Sequence, residues 1–326
     1  MHSLKGIHHV TAITSSAEKI YEFFTYVLGM RLVKKSVNQD DIHTYHLFFA
    51  DDVGSPGTDM TFFDFPETAK GRHGTDEIFQ TGFRVPTDAA LEYWKKRFDR
   101  YNVKHTRIKE QFGKKTLSFS DFDEQQYQLI SDENNQGVGG GIPWKHGPVP
   151  KEFAINGLGP VFIRVSDFDS FRIVLEQVLD FREVAKEDNR YLFEVSDGGN
   201  GAQVIVEENQ HLPKSKQGYG TVHHVAFRVE DKSELEYWRK RLRAFRIPSS
   251  GYVERYYFGS VYSRITRQIL FEFATDGPGF MVDEPYETLG EKLALPPYLE
   301  TKREEIEAAV RPIDTVRSTK KLAKEW

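Results

Sequence analysis

The sequence of 326 residues contains no cysteine, which excludes disulfide bonds and metal sites built from thiolates. It has no apolar run close to the roughly 20 residues of a membrane-spanning helix, and its opening, MHSLKGIHHV, lacks the apolar core of a signal peptide. The net charge of -5 gives no excess of positive charge for a nucleic-acid partner. We therefore expect a cytoplasmic protein that binds neither nucleic acid nor membrane.

The chain does contain an internal repeat. FRVPTDAALEYWKKRF (83–98) is echoed by FRVEDKSELEYWRKRL (227–242) at an offset of 144 residues, and VLGMRLV (27–33) resembles VLDFREV (178–184) at an offset of 151. Such self-similarity indicates copies of one structural unit. Each copy reads as a strand, a helix and then further strands, which predicts an α+β fold. The four predicted modules span residues 5–66, 77–133, 156–208 and 221–284.

A segment rich in glycine and proline, NNQGVGGGIPWKHGPVP (134–150), separates the two halves of the repeat. We therefore predict a first half over 1–145, a second half over 146–290 and a charged helical tail over 291–326. The glycines match neither GxGxxG nor GxxxxGK[ST], so they do not predict a phosphate-binding loop.

Two pairs of adjacent histidines open the first strands of modules one and four, in GIHHVT and VHHVAFRV, which is more than chance predicts for 11 histidines. Because side chains alternate faces along a strand, adjacent histidines are expected to point to opposite faces. His223 shares its face with Val225, on the side predicted to pack beneath a helix, so His224 faces the other side. His9 stands in register with His224 when the two HHV segments are superposed, and His8 is then turned away with His223.

A carboxylate occupies a matching place in the last strand of module four. In QILFEFATD, Glu272 lies on the face opposite Phe271 and Phe273. Two neutral imidazoles and one carboxylate form the facial triad that holds non-haem Fe(II), so His9, His224 and Glu272 are candidate metal ligands. The middle modules lack good ligands at the matching positions. The residues found there through the two offsets are Gln80, Gln128 and Pro160.

Other residues compete for the same role. His43 and His46, in DIHTYHLFF, are three apart, so on a strand they lie on opposite faces and cannot chelate one ion together without a bulge. Asp64 and Glu207 end modules one and three and are rival carboxylates, although neither is in register with Glu272 through the stronger repeat. A purely structural role for the strand histidines is the remaining interpretation.

The segments GIHHVT, PGTDMTFFDFP (56–66), VHHVAFRV and LFEFATDGPGF (270–280) together resemble the glyoxalase/extradiol-dioxygenase (vicinal oxygen chelate) superfamily. Within it, they are most similar to the hydroquinone-type ring-cleaving dioxygenases, and the likeness covers nearly the whole chain. The resemblance implies four βαβββ modules paired into two open mixed β-sheet barrels with helices outside. One segment departs from the family: RITRQ (264–268) replaces a DPDG-like or EPDG-like turn, which leaves the loop shape near the pocket mouth open.

The resemblance also implies a chemistry. It implies an Fe(II) centre, with Mn(II) as the alternative metal, held by His9, His224 and Glu272 from the first and fourth modules. The centre would use O2 to cleave the ring of a small aromatic diol of the hydroquinone or catechol type. The residues implied to carry protons or to contact the substrate are His223, His8, Thr11, Arg255 and Tyr262.

Two other functions fit the same scaffold. A glyoxalase-like isomerase or lyase would use another metal ion and usually a second carboxylate, which the matching positions do not supply. A non-catalytic protein that binds an aromatic compound or quinone would be expected to have lost the triad. The sequence leaves open which diol is cleaved, para or ortho, and whether the protein is a homo-oligomer.

Overall fold

The computed structural model describes residues 2–65, 67–266 and 268–325, and the strands in these ranges form two mixed sheets of eight strands each. The first sheet contains β1 (Ile7–Ile13), β2 (Arg31–Asn38), β3 (Asp41–Ala50), β4 (Asp59–Asp64), β13 (Thr221–Val229), β14 (Tyr252–Glu254), β15 (Phe258–Arg264) and β16 (Leu270–Pro278). The second sheet contains β5 (Glu77–Val85), β6 (Lys109–Gln111), β7 (Lys114–Ser120), β8 (Gln126–Ser131), β9 (Leu158–Val165), β10 (Arg182–Glu187), β11 (Arg190–Glu194) and β12 (Gln203–Glu208). The α-helices are α1 (Ala17–Glu22), α2 (Asp88–Arg100), α3 (Phe168–Ile173), α4 (Lys232–Ala244) and α5 (Arg303–Ala309).

No helix within the described ranges is long and apolar enough to cross a membrane. The predicted α+β class with two open mixed sheets is confirmed.

Each sheet combines strands from both halves of the chain. The first sheet has the order β14-β15-β16-β13-β1-β4-β3-β2, so modules one and four share it. The second has the order β10-β11-β12-β9-β5-β8-β7-β6 and joins modules two and three. At the centre of each sheet the opening strands of two modules pair antiparallel, β1 with β13 and β5 with β9. The two halves are therefore units of the sequence repeat, and strands pair across the boundary between them.

The helices follow the same offsets as the sequence repeat. α2 and α4 begin and end 144 residues apart, whereas α1 and α3 are 151 residues apart and continue into π-helical turns, Phe23–Val27 and Val174–Val178. Asp231 caps α4 by accepting hydrogen bonds from two backbone N–H groups of its first turn. Trp238 of α4 is fully buried and stacks on Phe273 of β16, which packs the helix against the outer face of the sheet.

Side chains on the central strands of the first sheet alternate between the helix-covered core and the concave face. Phe227 on β13, together with Phe271 and Phe273 on β16, is buried in the core. Because alternate side chains of a strand point to opposite faces, His224 and Glu272 lie on the concave face. Both residues line one cavity, in agreement with the face that the sequence pattern predicts for them.

The tail after residue 290 runs back over the body of the protein. Its helical part is the 3-10 helix Pro297–Lys302 followed by α5. Farther along, Arg317 donates hydrogen bonds to the carbonyl oxygens of Leu32 and Leu289, at 3.0 and 2.7 Å. Glu325 accepts a hydrogen bond from Arg97 of α2 at 2.7 Å.

Candidate metal centre

Three side chains from neighbouring strands meet on the concave face of the first sheet: His9 from β1, His224 from β13 and Glu272 from β16. Nε2 of His9 lies 3.2 Å from Nε2 of His224 and 3.2 Å from Oε2 of Glu272, and the remaining side of this triangle is 3.0 Å. Ligand atoms about 2.1 Å from one cation and at right angles to each other are about 3.0 Å apart. The triangle therefore has the size of one face of an octahedral metal site.

The carboxylate of Glu272 is fully buried and lacks a complete set of hydrogen-bond donors. Its Oε1 accepts a hydrogen bond from Ser260 Oγ at 2.5 Å, but its Oε2 receives none within the described ranges. Burial opposes ionisation, yet the two histidines outweigh it and lower the pKa of Glu272 well below its usual range. A buried charged oxygen needs a compensating partner, so this cluster fits a bound cation and can hold a metal ion.

Each histidine of the triad is hydrogen-bonded to the histidine that precedes it. The Nδ1 atoms of His8 and His9 are 2.9 Å apart, and those of His223 and His224 are 2.8 Å apart. The pairing of β1 with β13 skips one residue at His8 and one at His223, so each is the extra residue of a β-bulge. A bulge re-aims side chains out of the regular alternation. The prediction that His223 turns away from the site is therefore wrong, since its ring lines the cavity beside the triad, whereas His8 contacts His9 and does not line that cavity.

These contacts determine which ring nitrogen carries the hydrogen. If Nε2 of His9 and His224 binds a cation, Nδ1 must carry the hydrogen and donate it to the preceding histidine. His8 then has its hydrogen on Nε2, which donates to the carbonyl oxygen of Thr275 at 3.1 Å. His223 also has its hydrogen on Nε2, but this N–H has no partner within the described ranges and its ring lines a cavity. Burial lowers the pKa of His8 and of His223 to about 3, so both rings are neutral at pH 7.

Tyr262 and Arg255 lie on the side of the triad formed by β15. Tyr262 is directly opposite Glu272 in the antiparallel pairing of β15 with β16, and its ring meets the His224 ring edge-on with centroids 5.9 Å apart. Arg255 donates from Nε to the Tyr262 hydroxyl at 3.0 Å, and its two terminal nitrogens contact the carboxylate of Asp40 at 3.2 and 2.8 Å. Burial raises the pKa of Tyr262, so its hydroxyl stays protonated. Since that oxygen accepts from Arg255, its own hydrogen is free to be donated.

The triad forms one end of a cavity of about 470 Å³. Aromatic side chains make much of its wall, and polar side chains, the triad among them, make most of the rest, so the cavity offers both apolar surface and hydrogen-bonding groups to a small molecule. The aromatic residues that line it are Phe48, Phe63, Tyr257, Phe258 and Tyr262. Of the other predicted residues, His223 and Arg255 line the cavity, whereas His8 and Thr11 lie behind the triad and contact its histidines.

The rival carboxylates lie elsewhere. Asp64 accepts hydrogen bonds from Arg311 and from the backbone of α1, and Glu207 is held between Arg164 and Arg190 in the second sheet. The amide of Gln80 donates to a backbone carbonyl of β8, and that of Gln128 donates to a side chain of β6. All eight residues predicted from the sequence and the resemblance are thus gathered around one centre, and the competing carboxylates are not.

Sequence reasoning missed two residues beside the triad, Thr61 and His46. Thr11 and Thr61 are opposite each other in the parallel pairing of β1 with β4. In the same way, Ala226 and Glu272 are opposite each other in the parallel pairing of β13 with β16, two residues after His224 as Thr11 is two residues after His9. Thr61 is therefore the module-one counterpart of Glu272. Nε2 of His46 lies 2.9 Å from Oγ1 of Thr61.

A signal for His46 was present in the sequence. Its spacing from His43 predicts opposite faces, and His43 is indeed exposed while His46 packs its ring against Phe48 and Phe63 in the cavity wall, with centroids 3.9 and 4.4 Å away. Thr61 gave no signal, because threonine is neither a usual metal ligand nor titratable. The unusual turn at 264–268 includes residue 267, which lies outside the described ranges, so its effect on the cavity stays a prediction.

Comparisons with known proteins agree with this geometry. The family model described as Glyoxalase/Bleomycin resistance protein/Dioxygenase superfamily matches residues 6–129 and 157–283. MhqA of Bacillus subtilis (strain 168), provisionally named a ring-cleaving dioxygenase, is 45% identical over 315 residues, which cover 95% of this chain and 99% of MhqA. The chlorohydroquinone/hydroquinone 1,2-dioxygenase of Sphingobium indicum is 29% identical over 93% of this chain and 95% of that enzyme.

A solved structure from Bacillus subtilis subsp. subtilis str. 168, provisionally titled a dioxygenase, superposes with a TM-score of 0.89 at 33% identity and covers 97% of this chain and 99% of that one. The family model matches both halves of the chain, and the relatives extend over nearly all of it. The resemblance seen in the histidine and glutamate strands is therefore confirmed. The chain belongs to the Glyoxalase/Bleomycin resistance protein/Dioxygenase superfamily.

Proposed function

We propose that this protein is a metal-dependent dioxygenase that cleaves the ring of a hydroquinone- or catechol-type diol with O2. The observation that carries the proposal is the triangle of two imidazole nitrogens and one carboxylate oxygen at the end of an aromatic-lined cavity. The names of the relatives support the reaction class, and that of the Sphingobium indicum enzyme supports a hydroquinone as substrate.

Fe(II) is the metal that this ligand set fits best, with Mn(II) as the alternative. Two neutral imidazoles and one carboxylate on a single face are the ligands of non-haem Fe(II) oxygenases, and they leave the opposite positions open. When bound, the metal would supply the electron transfer between an electron-rich ring and O2. His9, His224 and Glu272 would hold it, and the bonds from His8 and His223 would fix the orientation of the two imidazoles.

The cavity wall would position the diol. The rings of Phe48, Phe63 and Phe258 give a flat substrate apolar surfaces to pack against and keep water away from the triad. His223 would donate its Nε2 hydrogen to a substrate oxygen, and Tyr262 would donate its hydroxyl hydrogen to the same side of the triad. Both donors would stabilise negative charge that develops on that oxygen.

His8 and His223 would have different roles, although both belong to a histidine pair. The N–H of His8 is already bonded to the carbonyl of Thr275, so His8 would orient His9 and do no more. The N–H of His223 is available in the cavity, which favours His223 over His8 as the group that handles a substrate proton. Arg255, tied to Asp40 and Tyr262, would hold the Tyr262 hydroxyl in place.

The two other functions are less well supported. A glyoxalase-like lyase usually needs a second carboxylate ligand, and the counterpart of Glu272 in module one is Thr61. A protein that only binds aromatic compounds would have no need for a buried triad with hydrogen-bonded histidines.

An oxygen-electrode experiment separates the three functions. Protein stripped of metal under nitrogen is reloaded with Fe(II), Mn(II) or Zn(II) and mixed with substituted hydroquinones and catechols. We expect the Fe(II) or Mn(II) protein to consume O2 and to yield a ring-opened product that carries both atoms of 18O2, and the Zn(II) protein to consume none. Turnover with Zn(II) and no O2 uptake would favour the lyase. Ligand binding without any turnover would favour the binding protein.

A further inference from the structure

A line of polar groups leads from the triad to the cavity wall along the opening strands of module one. Oγ1 of Thr11 lies 3.0 Å from Nε2 of His224 and 2.7 Å from Oγ1 of Thr61, which in turn lies 2.9 Å from Nε2 of His46. Both threonines are fully buried. These distances make a continuous hydrogen-bonded chain, which we call the Thr11–Thr61–His46 chain.

The second sheet shows that the scaffold itself does not require these polar groups. The offset of 151 places Phe162 at the position of Thr11, and Ile205 lies opposite Phe162 as Thr61 lies opposite Thr11. Phe162 and Ile205 belong to a small apolar cluster. The two buried threonines thus occur in the sheet that carries the triad, at positions where the other sheet has apolar side chains, whereas the position of His46 is taken there by Arg190.

The direction of the hydrogen bonds follows from the histidine pair. In the tautomer that binds a cation, the Nδ1–H of His224 is donated to His223 and Nε2 of His224 has only a lone pair. Without a metal, the Thr11 hydroxyl can donate to that lone pair, and it must then accept from Thr61. A cation on His224 takes the lone pair, and the hydrogen of Thr11 then needs another acceptor beside His224. The Thr11 hydroxyl therefore remains a hydrogen-bond donor, with and without a cation on His224, only if the Thr61 hydroxyl donates its own hydrogen to Thr11.

The other end of the chain supports the same direction. Nδ1 of His46 has no hydrogen-bond partner within the described ranges, and the ring lines the cavity. An orphaned N–H is rarer in proteins than an orphaned acceptor, so the hydrogen belongs on Nε2, where it is donated to Thr61. His46 is then neutral, in agreement with burial lowering its pKa well below the usual range. Its Nδ1 then carries a lone pair on a ring that lines the cavity.

We propose that Thr61 and His46 hold the Thr11 hydroxyl as a hydrogen-bond donor beside the Nε2 atom of His224, and that Nδ1 of His46 accepts a hydrogen bond from the second hydroxyl of the diol. Thr61 is a positioning residue, whereas His46 contacts the substrate. The second part rests on the proposed function, because it assumes a substrate with two hydroxyls. Phe63 contacts both His46 and His223, so an acceptor and a donor lie beside one aromatic ring of the cavity wall.

Nitrogen NMR tests the chain without turnover. In metal-free protein with 15N-labelled histidine, we expect His46 to carry its hydrogen on Nε2, and we expect Thr61→Val to change the shift of that nitrogen while Thr61→Ser preserves it. Ile205→Val, at the matching position of the second sheet, is the control and should leave His46 unchanged. A hydrogen on Nδ1 of His46 in the parent protein would overturn the proposal. With Zn(II) bound and hydroquinone added to saturation, Nδ1 of His46 should shift upfield, and an unchanged Nδ1 would overturn the acceptor role.

Kinetics of the metal-loaded protein test the same chain through catalysis. Thr61→Val should lower kcat about tenfold, the value of one hydrogen bond, with KM within about twofold and unchanged metal content, and Thr61→Ser should restore kcat. His46→Phe should raise KM, whereas His46→Gln, which keeps a donor near the Nε2 position, should retain most of kcat. An unchanged kcat in Thr61→Val would contradict the proposal. If no diol is turned over by any form, the proposed function fails, and the NMR result still decides on the chain.

Discussion

Replacing His223 by phenylalanine removes the acceptor of the His224 Nδ1–H bond while giving the strand a residue that the scaffold already accepts. The offset of 144 places Phe79 at the matching position, and Phe79 is the extra residue of the corresponding bulge between β5 and β9. The variant should therefore fold, and its effect should be confined to the metal centre. His8→Phe is the companion variant, because it removes the equivalent bond to His9 at the other bulge.

The size of the effect follows from the two hydrogen bonds. Loss of an outer partner of a metal-bound histidine lowers metal affinity about 10- to 100-fold, which is about 1.4 to 2.7 kcal/mol. Because the two bonds are 2.9 and 2.8 Å long, we expect a similar loss of affinity in both variants. Turnover should separate them. At saturating metal, His8→Phe should keep kcat within about twofold of the parent value. His223→Phe should lower kcat about tenfold or more, because it removes the His223 N–H that would stabilise charge on the substrate.

Metal affinity is measured under nitrogen by competition with a chromophoric chelator, and kcat by O2 uptake at saturating metal. Circular dichroism and thermal unfolding of the metal-free proteins check that the fold is intact. A Kd for the metal within about twofold of the parent value in both variants would refute the role of His8 and His223 in orienting the metal-binding histidines. An equal loss of kcat in both would refute the distinction between His8 and His223.

Three further predictions concern the ligand, the cavity mouth and acid. Glu272→Gln should abolish metal binding in equilibrium dialysis, whereas Gln128→Ala, at the matching position of the second sheet, should leave it intact. Asp40→Asn should raise KM several-fold with little change in kcat or unfolding free energy, because the exposed ion pair with Arg255 contributes at most about 1 kcal/mol to stability but orients the guanidinium. Metal-free protein should lose stability as the pH falls below about 6.5, because each histidine whose folded-state pKa is lowered binds a proton only in the unfolded chain. Each such histidine lowers the free energy of unfolding by about 1.4 kcal/mol per pH unit. The pKa of His8 is about 3 in the folded protein, so His8→Phe should lower that slope by one such increment in urea titrations between pH 6.5 and 3.

The triad could be predicted because its signals are local and repeated. Alternation along two strands placed His224 and Glu272 on one face, and the offset of 144 showed that the middle modules replace them by Gln80 and Gln128. The pairing of distant modules was supplied by the family resemblance, and the structure confirms it in the contact of β1 with β13. Element types and face periodicity are properties of short segments, so sequence reasoning reaches them.

The bulges and the Thr11–Thr61–His46 chain could not be predicted, because they depend on contacts between segments far apart in the chain. Whether His8 or His223 is an extra residue is decided by the register of β1 against β13, and a strand read alone shows only regular alternation. Thr61 becomes important because β4 lies next to β1, which brings its hydroxyl to Thr11. Regular alternation of side chains along the strand therefore fails at the candidate site, because β-bulges there change the direction of the side chains.

The bulge at His223 has a counterpart at Phe79 in the second sheet, and this separates what the backbone does from what the side chains do. In the second sheet the bulge residue Phe79 joins Phe162, Leu192 and Ile205 in an apolar cluster without metal ligands. In the first sheet the matching positions carry histidine and threonine, and the same backbone brings ring nitrogens and hydroxyls within hydrogen-bond distance. This bulge therefore does not depend on a histidine, since it also occurs where the residue is phenylalanine. The backbone fixes where the side chains of neighbouring strands meet, and the residue type at those few positions decides whether the meeting place is an apolar cluster or a metal centre.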